Sequence, residues 1–244
     1  MINGIELEKV EGKIEFKNVW FAYEDENWIL KDVSFCIEPR RERSLSTEEL
    51  VLGKTTIINL INRFYEIQKG EILLDGINIK DINLRSLRNK IGIVLQDPFI
   101  FANTIKKNIE LSDSLSDEAT KRAIKLATAD EFVNSLPNGI EEIASERGNS
   151  FSAGEKQLIA FARIFAHDPA IFILDEATAN IDTKTEEIIQ KSVDKISRDK
   201  TSIFIAHRLS TIVNVNKIIV LNQGKIAEQG SHSELMNNLE RILL

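Results

Sequence analysis

A single cysteine, Cys36, stands among the 244 residues, which excludes an internal disulfide. Its neighbours Phe35 and Ile37 mark a buried strand position, so no thiol chemistry is assigned to it. Long apolar runs are also missing. The most apolar stretches, 171–174 and 218–221, fall far short of the roughly 20 residues that a bilayer demands, so a membrane role has to come through a partner. Residues 1–10 carry early acids and no apolar core followed by small residues, which fits neither a secretory signal nor a basic transit peptide. A cytosolic location is expected. Excess positive charge is absent too: a net charge of -7 argues against a broad nucleic-acid surface. There is no internal repeat, low-complexity run, disordered linker or sustained heptad pattern.

What remains is enough for one sizeable domain with a true core: 43% of the residues are hydrophobic and 28% charged. Ile14, Phe16 and Val19, then Val33, Phe35 and Ile37, alternate with polar residues and predict two short strands. After Gly53 the residues Ile57, Ile58, Leu60, Ile61, Phe64 and Tyr65 recur at helical spacing. A strand over 71–74 runs into the turn Asp75-Gly76, and another strand follows over 91–95. Residues 99–150 change character, with a helix over 117–129 and a turn at Pro137-Asn138-Gly139, as a helical subdomain inserted into the core would. Beyond it, helices over 153–167 and 185–197 alternate with strands over 171–174, 202–206 and 217–221, which predicts a largely parallel, covered sheet.

Three short segments and three single residues could carry chemistry. Gly53-Lys54-Thr55-Thr56 opens a helix, where backbone N–H groups and the helix dipole suit phosphate oxygens; Lys54 would reach the β and γ phosphates and Thr55 would ligate Mg²⁺. Asp175-Glu176 ends an apolar strand at the carboxyl edge of the sheet, where open α/β folds bind ligands. There Asp175 could hold Mg²⁺ and Glu176 could polarise a water, although carboxylates after a strand also serve as helix caps. Ser152-Ala153-Gly154-Glu155 precedes an apolar-periodic helix, and the Ser152 to Glu155 spacing is that of a capping box; the same exposed helix start also suits an anion, and spacing does not choose between the two. Finally, Gln96 and His207 each follow a strand: an amide there could contact Mg²⁺ or an attacking water, and an imidazole could donate to a γ-phosphate oxygen. Tyr23, after Val19 and Phe21, could stack on a base or simply pack.

In this order the segments resemble the ATP-binding cassette family of transporters, exporter type, over nearly the whole chain. The resemblance makes Tyr23 the base-stacking tyrosine, Gly53 to Thr56 the end of the Walker A loop, Gln96 the Q-loop and Ser152 to Glu155 the signature motif. It makes Asp175 and Glu176 Walker B and its catalytic glutamate, Asp182 the D-loop and His207 the switch histidine. The stretch 101–109 and Glu146-Arg147-Gly148 look like the segments that face transmembrane coupling helices in exporters. The implied fold is α/β: a P-loop NTPase (RecA-like) core and an N-terminal antiparallel β subdomain over 1–84 and 157–244, with the inserted α-helical subdomain over 85–156. The implied activity is ATP hydrolysis with Mg²⁺, in which Glu176, His207 and Gln96 are catalytic and Thr55, Gln96 and Asp175 hold the metal. Two such domains would close head to tail on ATP, Ser152 and Gly154 of one meeting the nucleotide of the other, to drive transmembrane domains at the cytoplasmic face of the membrane.

The chain departs from that family pattern in one place above all. Glu48 stands where the Walker A loop requires glycine, and Glu49, Leu50, Val51 and Leu52 replace its small residues, so the loop loses its backbone freedom and gains carboxylates that repel ATP. Just upstream, residues 40–47 are too polar for the buried strand that feeds such a loop. A local frame shift accounts for both: Glu48 to Gly53 can be encoded GAA GAA CTG GTT CTG GGA, which after a preceding G and read one base earlier gives Gly-Arg-Thr-Gly-Ser-Gly. The alternative is a degenerate site. Ala153 and Glu155 also replace the family's glycine and glutamine. A nucleotide-binding half with impaired ATP binding in an asymmetric transporter, and a soluble ATPase head of the chromosome-organising kind, are the competing readings.

Overall fold

The computed structural model describes residues 4–39, 42–47, 52–111, 114–145, 148–175, 183–205 and 215–242, with backbone alone for 42–47, 52–54, 183–184 and 238–242. Glu48, Glu49, Glu146, Arg147, Glu176, Asp182 and His207 thus lie outside the described residues or their side chains. The chain divides into two compact units, one made of residues 1–91, 170–173 and 199–244, the other of 92–169 and 174–198.

In the first unit, β1 (Ile14–Ala22) and β2 (Trp28–Ile37) pair antiparallel with Ile14 opposite Ile37 and Phe16 opposite Phe35. The alternation seen in the sequence puts these side chains on one buried face, and the rings of Phe16 and Phe35 stack at 4.4 Å. β4 (Lys69–Leu74) adds to β1, and β5 (Ile77–Asn78) to β4, giving the order β2-β1-β4-β5. The β4 to β5 turn needs positive φ at both central positions, which Asp75 (φ 50°) and Gly76 (φ 81°) adopt. Asp75 has a second duty: its carboxylate accepts from the backbone N–H groups of Glu11, Gly12 and Lys13, tying the segment before β1 to that turn.

A second sheet follows the order β10-β9-β3-β8-β7-β6, from β10 (Lys225–Gly230), β9 (Lys217–Asn222), β3 (Glu42–Thr47), β8 (Thr201–Ile205), β7 (Ile171–Asp175) and β6 (Ile91–Val94). β8 is buried at every residue and β7 at its first four, as continuous apolar strands covered on both faces should be. β3 lies parallel to both β8 and β9. Its polar composition did not mark it as a buried strand, yet its backbone fills the position between two neighbours whose ladders need a partner.

α1 (Leu52–Ile61) begins at the glycine-lysine segment and stops sooner than the periodicity suggests. Arg63 takes φ 52°, and Phe64 and Tyr65, expected on the buried helical face, are 54% and 47% exposed. The left-handed residue ends the helix and turns both rings outward.

The second unit is built around α6 (Ala153–His167), which contacts α3 (Ile105–Glu110), α4 (Asp117–Leu126) and α7 (Thr183–Ser197). The buried residues Leu158, Ile159, Phe161, Ala162 and Ile164 form its packed side. The helix expected over 117–129 ends at Leu126 as α4: Thr128, whose φ is 56°, turns the chain, and α5 (Asp130–Ser135) follows. Ser192 on α7 donates to the carbonyl of Ala127 at 2.8 Å, satisfying one of the acceptors that this helix end frees. α2 (Leu84–Asn89), capped by Asn83, precedes β6, and α8 (His232–Ile242) follows β10. Among the described residues no helix is long and apolar enough to cross a membrane.

Candidate nucleotide site

The motif residues that the structure describes fall in both units. In the first unit, β1 delivers Tyr23 just past its last residue, where the phenol lies against the start of α1. The hydroxyls of Tyr23 and Thr56 are 3.0 Å apart, and Asn59, one turn further along α1, donates to the Tyr23 hydroxyl at 3.4 Å. Thr56 is wholly buried, Thr55 beside it is exposed, and 40% of Tyr23 remains accessible. A hydroxyl anchored on a helix start and a ring left open to solvent is an arrangement that can receive an aromatic ligand while the helix N-terminus faces an anion. Phe21 backs this ring edge to face at 4.8 Å. Gly53 and Lys54 lie in the first turn of α1, where their backbone is described.

In the second unit, the N-terminus of α6 carries Ser152 to Glu155. The capping box is formed: the Ser152 hydroxyl accepts from the Glu155 N–H at 3.3 Å, and the Glu155 carboxylate accepts from the Ser152 N–H at 2.7 Å. Ser152 and Ala153 are exposed, and Gly154 is buried. Glu155, where the sequence pattern favours glutamine, therefore keeps a structural task that either side chain can perform, since both present a carbonyl-type oxygen.

Gln96 lies two residues past β6 with its side chain exposed. Its backbone is held by Gln157, a residue to which the sequence assigned no task. Nε2 of Gln157 donates to the carbonyls of Leu95 and Gln96, both at 3.0 Å, and Gln157 is only 1% exposed. One polar residue inside the apolar face of α6 was the signal that could have found it. Asp175 closes β7 and is half-buried, at the carboxyl end of the strand as expected.

The stretch 99–110 is organised by the buried Asn108 and the half-buried Arg163. Asn108, 1% exposed, accepts from the Phe101 N–H at 2.8 Å and donates toward the carbonyls of Phe101 and Thr104, both at 3.0 Å. Arg163 of α6 donates to the carbonyls of Phe99 and Asn108 at 2.7 and 2.6 Å. Burial lowers the Arg163 pKa to about 10, so the guanidinium stays charged at neutral pH while all three of its hydrogen-bond acceptors are neutral. Phe99 and Phe101 stand above this network, half exposed and edge to face at 4.9 Å. Gly148 needs its lack of a side chain: φ is 63°, and a Cβ would come within 2.9 Å of Ile100.

A mixed sheet with parallel central strands, a glycine-lysine helix start and an anchored aromatic ring define a nucleotide-binding α/β domain. The comparisons with known proteins make it specific: the chain belongs to the ABC transporter family, whose model matches residues 30–179. It is an ABC nucleotide-binding domain of exporter type. The Bacillus subtilis protein named "Probable multidrug resistance ABC transporter ATP-binding/permease protein YheH" is 46% identical over 94% of this chain and 34% of its own length. "Uncharacterized ABC transporter ATP-binding protein YknV", also of Bacillus subtilis, is 47% identical over 96% of this chain and 39% of its own length. The solved structure of a bacterial Atm1-family ABC exporter with ATP bound superposes with a TM-score of 0.90 at 38% identity, covering 98% of this chain and 42% of that one. The chain thus spans well under half the length of the relatives it matches.

Proposed function

We propose that this chain binds and hydrolyses ATP as the motor of a membrane exporter, working with transmembrane domains and with a second nucleotide-binding domain at the cytoplasmic face of the membrane. The observation that carries the reading is the Tyr23 to Thr56 contact, which joins a base-accepting ring to the helix start that would grip the phosphates. Family membership and relatives named as ATP-binding/permease proteins support it. Gly53 and Lys54 would meet the β and γ phosphates. Thr55, Gln96 and Asp175 offer a hydroxyl, an amide and a carboxylate, the hard oxygen donors that Mg²⁺ prefers. When bound, the ion would neutralise phosphate charge as the terminal bond breaks. Glu176 would polarise the attacking water and His207 would donate to the γ-phosphate, while Ser152 and Gly154 would face the nucleotide of a partner domain, with Asp182 near that junction.

A second reading is favoured by Glu48 and Glu49: a domain that keeps the fold and the dimer face but binds nucleotide poorly in its own loop. Titration of the purified chain with MgATP, followed by phosphate release, separates the two. Binding that is lost in Lys54→Ala, and turnover that is lost in Glu176→Gln while binding remains, supports the motor. A chain that binds no MgATP overturns that reading in favour of the second.

A further inference from the structure

Tyr65 belongs to none of the candidate motifs, and the structure sets it against Tyr23. It leaves the turn after α1, which is held from both sides. Arg63 donates to the carbonyls of Ile79 and Ile82, both at 3.1 Å, and Arg88 donates to those of Asn62 and Arg63, both at 3.2 Å. From this fixed turn the Tyr65 ring meets Tyr23 edge to face, with centroids 5.0 Å apart and planes at 86°. Phe21 closes the triangle, 4.8 Å from Tyr23 and 5.9 Å from Tyr65. Phe21 is buried, whereas the two tyrosines are 40% and 47% exposed.

A ring that is to receive a nucleobase has two freedoms to lose, the swing of its long axis and the rotation about it. Thr56 and Asn59 hold the hydroxyl end of Tyr23 at 3.0 and 3.4 Å and so restrain the axis, leaving the ring able to turn about it. A perpendicular ring at 5.0 Å removes that second freedom, because a turned Tyr23 would lose the edge-to-face contact and drive its own edge into its neighbour. We propose that Tyr65 is a positioning residue for the nucleotide: it holds Tyr23 in the orientation that stacks on the base, and acts through Tyr23 alone. The proposal rests on Tyr23 being the base platform. It needs the aromatic ring of Tyr65 and not its hydroxyl.

The test is equilibrium binding of MgATP, and separately of magnesium tripolyphosphate, which has no base, to the 244-residue chain and to its Tyr65→Ala, Tyr65→Phe and Tyr23→Ala variants and the double alanine variant. Tyr65→Ala should weaken ATP about three- to tenfold and leave tripolyphosphate unchanged, and Tyr65→Phe should restore the affinity. In the Tyr23→Ala background, Tyr65→Ala should add nothing. Equal weakening of both ligands, an additive double variant, or no effect on ATP overturns the role of Tyr65. If Tyr23→Ala weakens ATP and Tyr65→Ala does not, this inference alone fails. If Tyr23→Ala has no effect, or the unaltered chain binds no ATP, the reading of the site fails and this inference goes with it.

Discussion

Arg163 and Asn108 meet twice, Nε of the arginine on the asparagine carbonyl at 2.6 Å and its NH2 group on the asparagine Oδ1 at 2.9 Å. The pair fastens α6 to the segment 99–110 without a carboxylate among its acceptors. A half-buried cation held only by neutral oxygens is costly to desolvate, and it is tolerated here because it satisfies carbonyls that would otherwise be orphaned.

Asn108→Ala should therefore destabilise the chain by about 2–4 kcal/mol, since several buried backbone groups and the guanidinium lose a partner together. Arg163→Lys should be destabilising too, because one ammonium cannot reproduce a fork that reaches two backbone carbonyls and a side-chain amide. Urea unfolding midpoints measure both, and a midpoint unchanged in Asn108→Ala would contradict the network.

The capping box at α6 separates a structural from a ligand-binding role for Ser152. Ser152→Ala should cost about 1 kcal/mol of stability through the lost cap. Glu155→Gln, which restores the family residue, should leave stability nearly unchanged because the amide oxygen can still accept from the Ser152 N–H. Thermal unfolding of the two variants checks this contrast.

Glu234 lies in the first turn of α8, and backbone and side-chain hydrogen bonds from Ser231 hold its carboxyl below the ordinary carboxylate range. With the folded-state pKa depressed, the stabilisation is present above the unfolded value of 4.5 and is lost as pH falls through the lower folded value. Carboxyl NMR should find the Glu234 midpoint below 4.5, and Ser231→Ala should move it upward. An unmoved midpoint would mean that the Ser231 hydroxyl contributes nothing and that the backbone N–H alone lowers it.

Residues 40–53 are open to a chemical check. Tryptic digestion and tandem mass spectrometry of protein expressed from the natural gene should give the fragment from Ser44 to Lys54 if the loop is degenerate. A glycine-rich peptide ending in Gly-Ser-Gly-Lys would mean that the frame is shifted there, and strong MgATP binding would then be expected.

The sequence by itself determined the strands and helices whose side chains face one environment along their length. Ile14, Phe16, Val33 and Phe35 alternate because one face of their sheet is buried, and Ile171 to Leu174 are continuously apolar because both faces of theirs are covered. The turn Asp75-Gly76 and the cap Ser152 to Glu155 were equally legible, since local backbone geometry demands those residue types. Tertiary structure alone decided the rest. β3 is a strand because β8 and β9 leave a ladder between them, whatever its own composition. α1 ends before Phe64 although the apolar period continues, because Arg63 turns the chain and reaches the carbonyls of Ile79 and Ile82. The partnerships of Tyr23 with Thr56 and Tyr65, and of Arg163 with Asn108, join residues 33 to 55 positions apart, and no periodicity encodes such a meeting. Only the packing that brings Tyr23, past the end of β1, onto α1, and α6 against α3, could place those groups within bonding distance.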